Sequence, residues 1–172
     1  MTTVADTIFV GRQPIYNQHL DVVAYELLYR DDSKNNLSRT DGDAATSKLL
    51  INTLLEIGLD NLVGDRPAYV NFTRNFLTGD YPLPFDHDHL VVAVLKDVEP
   101  DEELIQSLRK LADQGYSLAL DDFVLEDRFR PLLEIAEVVR VNYSRLNQIN
   151  VRNKIESLQD YPIELLVENI GD

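Results

Sequence analysis

The pattern of apolar positions along the chain predicts two neighbouring strands followed by alternating helices and strands. Residues 8–16 and 22–29 are apolar-rich segments on either side of Asn17-Gln18-His19, an arrangement typical of a β-hairpin. Short apolar segments predict further strands at 68–72, 90–95, 118–120, 138–141 and 163–167. Helical spacing with start and stop signals predicts helices at 43–57, 100–114, 128–136 and 149–158.

Strands that alternate with helices pair in parallel through right-handed crossovers, so the pattern predicts an α/β fold with a parallel sheet. About seven strands with an antiparallel hairpin at the start favour a modified (β/α) TIM barrel over an open sheet. A complete barrel takes roughly 250 residues, whereas this chain has 172 and ends on VENIGD, just after an apolar strand. We therefore expect one domain over residues 1–172, an incomplete barrel truncated before its closing helix and strand.

The charge of the chain narrows the range of partners. Thirty acidic residues face sixteen basic ones, for a formal net charge of −14. Because nucleic-acid binding depends on Lys and Arg neutralising phosphates, we expect no DNA or RNA partner. The chain has no cysteine, no apolar run near the roughly 20 residues of a membrane span, and no signal-peptide pattern in its first residues. We expect a cytoplasmic protein that does not enter a membrane.

Polar residues cluster where the predicted strands end, which is where barrels carry their functional side chains. Asp121 and Asp122 directly follow an apolar strand, although such a pair is also an ordinary helix N-cap. Glu26 lies among large apolar residues and needs a metal or a partner, and the alternative to a metal is an ion pair with Arg30 or Arg140. Asn71, in turn, is as well explained by local backbone hydrogen bonds.

Taken together, five side chains form an oxygen-rich set suited to Mg²⁺ or Mn²⁺. They are Glu26, Asn71, Asp121, Asp122 and Glu168. Such sites hydrolyse phosphodiesters by activating water between two metal ions and neutralising the charge that develops.

The segment FVGRQPIYNQHLDVVAYELLYR resembles the opening of EAL domains, the cyclic di-GMP phosphodiesterase family, with its Q-P-I, hairpin and E-A-L-L-R motifs. Leu27 stands where the family has the Ala of its name. The resemblance covers nearly the whole chain. Within the family, the chain is most similar to the EAL/HDOD signalling proteins. The resemblance implies a modified TIM barrel whose early strand runs antiparallel.

The resemblance also implies roles for individual residues. Glu26, Asn71 and Asp121 match metal ligands, and Asp122 matches the second Asp of the D-D-F motif. Glu168 matches a Glu that positions or activates water. Gln13 and Arg30 match positions that contact the dinucleotide.

Several departures from the family pattern fall on the metal site. Ala93 and Lys96 stand where the family's L-E-I-T-E segment has two Glu residues, and Arg140 and Asn142 replace the Lys and Asp of K-I-D. Residues 124–127 replace the G-T-G-Y-S loop. Losing anionic ligands and adding an ammonium raises the cost of holding two divalent cations, and Arg cannot substitute for a deprotonable Lys. We therefore expect a degenerate domain in which Glu168, Arg140 and the metal-ligand positions are vestigial and unoccupied.

Three functions remain open from the sequence. The first is an inactive regulatory domain that acts through an HDOD or other signalling domain, and the second is a receptor that binds cyclic di-GMP without cleaving it. The third is an active phosphodiesterase with a rearranged metal set, and only this function requires a cofactor, Mg²⁺ or Mn²⁺. The sequence is also compatible with a homodimer.

Overall fold

The computed structural model describes residues 8–17, 19–31, 54–121, 127–142 and 148–168 of the chain. The helix predicted from Asp43 falls mostly outside these residues. Its last turn is described: residues 54–57 are helical, and the Gly58 N–H donates to the Leu54 carbonyl at 2.9 Å. Gly58 has φ 83°, a conformation that ends a helix at low cost only for glycine.

The predicted hairpin is confirmed. Strand β1 (Ile8–Tyr16) pairs antiparallel with β2 (Val22–Asp31), and Gln13 lies opposite Glu26. The side-chain oxygen of Asn17 accepts the backbone N–H groups of His19 and Asp21 at 2.8 and 3.0 Å. They add to two backbone bonds of the turn, in which the Asn17 N–H donates to the Asp21 carbonyl at 3.0 Å and the Leu20 N–H donates to the Asn17 carbonyl at 3.1 Å; such local bonding is why Asn is favoured in turns.

Five parallel strands follow, in the same spatial order as in the sequence. They are β3 (Ala68–Phe72), β4 (Leu90–Leu95), β5 (Ser117–Asp121), β6 (Val138–Asn142) and β7 (Glu164–Glu168). The complete order is β1-β2-β3-β4-β5-β6-β7, and β2 pairs parallel with β3. The sheet is curled as in a barrel, so the predicted α/β fold with an antiparallel first strand is confirmed.

Besides the helical turn at 54–57, the described residues form five helices between the strands. They are α1 (Leu59–Val63), α2 (Arg74–Leu77), α3 (Glu102–Asp113), α4 (Arg130–Leu133) and α5 (Gln148–Leu158). The helix predicted at 128–136 is instead a 3₁₀ turn at Asp127–Phe129 followed by the single turn of α4. No described helix has the length and apolar character needed to cross a membrane.

Alternate residues of each strand face opposite sides of the sheet and divide the core in two. The larger cluster lies on the outer face, where Val70, Val92 and Leu120 pack against the helices, including Leu104 and Leu108 of α3. The smaller cluster defines the inner face and consists of Ile15, Ala24, Tyr69, Val91, Ala93, Ala119 and Val138. Strands β3 and β4 are buried on both faces, which explains their continuous apolar sequences.

Helix α3 is fixed at its start by two polar contacts. The Asp101 carboxylate accepts the Leu104 N–H at 2.9 Å, as an N-cap should. Arg74, in α2, donates to both oxygens of Asp101 at 2.9 and 2.7 Å and to Glu103 at 2.7 Å. The loops that follow β3 and β4 are thereby tied together at the carboxyl end of the sheet.

We predict that Asp101→Asn lowers the melting temperature at neutral pH and that the loss disappears in acid. The Leu104 N–H and then the Arg74 guanidinium hold the pKa of Asp101 below its ordinary value. A carboxylate with a depressed folded pKa stabilises the protein above the unfolded pKa, about 3.9, and loses that effect as the pH falls through the folded value.

The measurement is thermal unfolding of both proteins between pH 7 and pH 2, with Asp97→Asn as control, since Asp97 is also exposed and lies outside the helix. A difference between wild type and Asp101→Asn that stays constant down to pH 2 contradicts the assignment.

Candidate active site

Four polar side chains are buried on the inner face, and they are the buried polar residues among those described. Glu26, Asn71, Asp121 and Arg140 are 7, 5, 2 and 1 % exposed. Each lies two positions after an apolar member of the inner cluster on its own strand, respectively Ala24, Tyr69, Ala119 and Val138. Because side chains alternate along a strand, this spacing places all four on the same side of the sheet.

Arg140 is the centre of this group. Its Nη2 donates to Glu26 Oε1 at 2.7 Å and lies 4.0 Å from Asp121 Oδ1. The Asn71 Nδ2 approaches the same Glu26 oxygen at 3.4 Å. Of the alternatives that the sequence left open for Glu26, the structure has the ion pair with Arg140.

Small residues make this contact sterically possible. Ala93 and Ala119 lie side by side on β4 and β5, between Asn71 on β3 and Arg140 on β6, and both are fully buried. Their methyl groups leave the inner face open for a long side chain to cross it. The position where the resemblance expects a metal-ligating Glu is thus a buried methyl group in the apolar cluster of the inner face.

Tyr69 lines the floor of the same layer and was not predicted as a site residue. Its ring centroid lies 6.0 Å from the Arg140 guanidinium carbon. Burial raises the pKa of the Tyr69 phenol, the Glu164 carboxylate acts in the same direction, and Arg140 opposes them. The phenol is therefore a neutral group beside the four buried polar side chains of the inner face. Its position two residues before Asn71 in AYVNF was the available signal.

The structure describes the remaining predicted site residues only in part. Gln13 is exposed on β1 opposite Glu26. The backbone of Arg30 lies in β2 opposite Phe9, and that of Glu168 lies in β7 opposite Asn142. Asp122 lies outside the described residues. Lys96, which follows β4, is exposed.

The described side chains do not fit a divalent metal ion. Within the ranges that the structure describes, no three His, Asp or Glu side chains converge as metal ligands. The Glu26 oxygen that would bind a metal is held by a guanidinium, and Ala93 offers no donor atom. Chemically, the Arg140 guanidinium neutralises the buried carboxylate of Glu26 and lies near the buried carboxylate of Asp121.

We predict that Arg140→Met destabilises the protein by about 3–5 kcal/mol, because it leaves a buried carboxylate uncompensated. The double variant Arg140→Met/Glu26→Gln should recover much of this loss, since a neutral amide costs less to bury than a carboxylate. Urea unfolding of the two single variants and the double variant measures the coupling. Arg152→Met, which removes an exposed arginine that pairs with Glu156, is the control and should change stability by less than about 1 kcal/mol. Additive effects of the two inner-face changes would contradict the ion pair.

Comparison with known proteins gives two curated relatives, while no family profile matches the chain. The uncharacterized protein YuxH of Bacillus subtilis is 34 % identical over 168 residues, which are 95 % of this chain and 41 % of YuxH. The cyclic di-GMP phosphodiesterase CdgJ of Vibrio cholerae is 34 % identical over 136 residues, 77 % of this chain and 32 % of CdgJ. The chain therefore spans less than half the length of either relative.

Several solved structures resemble the fold of this chain at low sequence identity. The EAL enzyme Bd1971, bound to cAMP and cyclic di-GMP, superposes with a TM-score of 0.72 at 15 % identity, covering 96 % of this chain and 56 % of that one. The Bacillus subtilis YkuI protein, with an EAL domain in complex with cyclic di-GMP and calcium, gives 0.69 at 19 %, covering 96 % and 50 %. The PaMucR phosphodiesterase, in complex with cyclic di-GMP, gives 0.72 at 14 %, covering 96 % and 86 %. The chain therefore has the fold of the EAL domains in these structures, as the sequence resemblance predicted.

Proposed function

We propose that this domain is a catalytically inactive EAL-type regulatory domain that acts through contacts with other protein domains. The observation that carries the proposal is the ion pair between Arg140 and Glu26, 2.7 Å long and buried on both sides. The guanidinium binds the carboxylate that the resemblance assigns to a metal.

The charge of the inner layer supports the same conclusion. Metal-dependent phosphodiester hydrolysis uses anionic oxygens to hold the ions that activate water and stabilise the transition state. The described inner layer has two carboxylates and one guanidinium, and Ala93 stands at the centre of the sheet. Such a layer carries less negative charge than a site for two divalent cations requires.

An interaction role also accords with the size of the relatives. In YuxH and CdgJ the matched region is joined to further sequence, since it covers 41 and 32 % of those proteins. A signalling domain of the HDOD type, or a second copy of the EAL domain, is the partner we propose. The output of the domain is then a change in contacts rather than a product.

Weak binding of cyclic di-GMP is compatible with this role. Structures of similar fold contain cyclic di-GMP, among them those of YkuI and PaMucR. Gln13 is exposed on β1 opposite Glu26, so its side chain is accessible to a ligand that binds beside the polar layer. The competing function, an active metal-dependent phosphodiesterase, is favoured by the name of the relative CdgJ.

We predict that the domain does not hydrolyse cyclic di-GMP with either Mg²⁺ or Mn²⁺. Chromatography that separates the linear dinucleotide from cyclic di-GMP measures this. Calorimetric titration should show weak binding that metal ions do not strengthen, because the described layer does not supply their ligands. Gln13→Ala should weaken that binding, whereas Gln106→Ala, an exposed change on the outer helix α3, should not. Metal-dependent appearance of the linear product would establish the phosphodiesterase instead.

A further inference from the structure

We infer that the guanidinium of Arg140 is the resident cation of the inner carboxylate layer and that it keeps divalent metal ions out of this layer. The inference deepens the proposed function and rests on it in treating the layer as a metal-free relative of a metal site. It assigns a positive role to one residue: Arg140 substitutes for the ion with a charge that is covalently part of the chain.

The position of one nitrogen atom is the first step. Arg140 Nη2 lies 2.7 Å from Glu26 Oε1 on β2 and 4.0 Å from Asp121 Oδ1 on β5. A single cationic group thus lies between carboxylates contributed by two different strands, which is where an ion bridging them would lie. The arginine side chain is 1 % exposed, so solvent does not separate it from either carboxylate.

Electrostatics gives the second step. A Mg²⁺ or Mn²⁺ ion bound to these oxygens would lie about 2.0–2.2 Å from each, and hence within a few ångströms of the guanidinium. Repulsion between the two cations is strong at such a distance, because a buried site screens charge poorly. A lysine could relieve the repulsion by losing its proton, whereas arginine remains charged at every physiological pH.

The supply of ligands gives the third step. Mg²⁺ requires close to six oxygen ligands in octahedral geometry. Among the described hydrogen bonds of Asn71, its Nδ2 points to Glu26 and its Oδ1 accepts none, so that oxygen is one available ligand. Across the sheet from Asn71 the next positions are Ala93 and Ala119, whose side chains contribute no oxygen. The guanidinium, by contrast, already forms a charge-assisted hydrogen bond to Glu26 in this layer.

The first test uses the wild-type chain and Mn²⁺ as a paramagnetic probe. Alanine methyl groups are labelled, and their NMR intensities are followed during titration with MnCl₂. Ala93 and Ala119 report on the inner face, and Ala112 on α3 reports on the outer side of the domain. We expect Ala93 and Ala119 to lose no more intensity than Ala112. Selective broadening of the two inner-face methyl groups overturns the inference, and this arm depends on no variant.

The second test removes the tethered cation. Arg140→Gln keeps a hydrogen-bond donor to Glu26 but leaves both carboxylates without the positive charge. We expect it to bind Mn²⁺ at least about tenfold more tightly than wild type, with Mn²⁺ raising its melting temperature and broadening Ala93 and Ala119. Arg152→Gln removes an exposed arginine of the same charge and should behave as wild type. If Arg140→Gln folds and binds Mn²⁺ no better than this control, the inference is wrong.

These outcomes are separable from the proposed function. If the wild-type domain hydrolyses cyclic di-GMP but Mn²⁺ leaves Ala93 and Ala119 unbroadened, the proposal of inactivity fails and Arg140 still excludes metal from this layer. If the domain is inactive but the inner methyl groups broaden, the proposed function stands and the role of Arg140 as resident cation fails.

Discussion

The ion pair between Arg140 and Glu26 constrains the shape of the sheet. The two residues are 114 positions apart, on β6 and β2, with three strands between them. Measured along the sheet, four strand spacings amount to about 19 Å, yet the two charged atoms are 2.7 Å apart. The contact exists only because the sheet curls and because the small side chains of Ala93 and Ala119 leave room on its inner face. Curvature, small residues and charge therefore depend on one another.

This dependence links packing to chemistry. A flat sheet would leave the Glu26 carboxylate buried without a counter-charge, so the curled arrangement is also the one in which its desolvation is compensated. The outer face, with its large aliphatic core under α3, supplies the apolar stabilisation. The inner face contributes specificity, since its polar groups match only when the strands keep their register.

Much of this fold was predictable from the sequence, because local patterns of apolar and polar residues indicate its strands and helices. The hairpin around Asn17 and the buried strands β3 and β4 were predicted with the observed bounds at most ends. The sequence also predicted that four polar residues lie in the same region, because they fall near the ends of predicted strands and within family motifs. They are Glu26, Asn71, Asp121 and Arg140. The ion pair between Arg140 and Glu26 did not follow from these patterns, because it depends on curvature, a property of the whole sheet. The single-turn helices α1 and α2 are too short to show periodicity.

The methyl group of Ala93 has an evolutionary consequence. A carboxylate at position 93 and the loss of the guanidinium at position 140 would each favour a metal ion at this layer. Taken alone, the first change forces a larger charged side chain into a fully buried position, and the second leaves a carboxylate without its counter-charge. Each change by itself therefore costs folding free energy, which opposes the replacement of Ala93 or Arg140 one at a time.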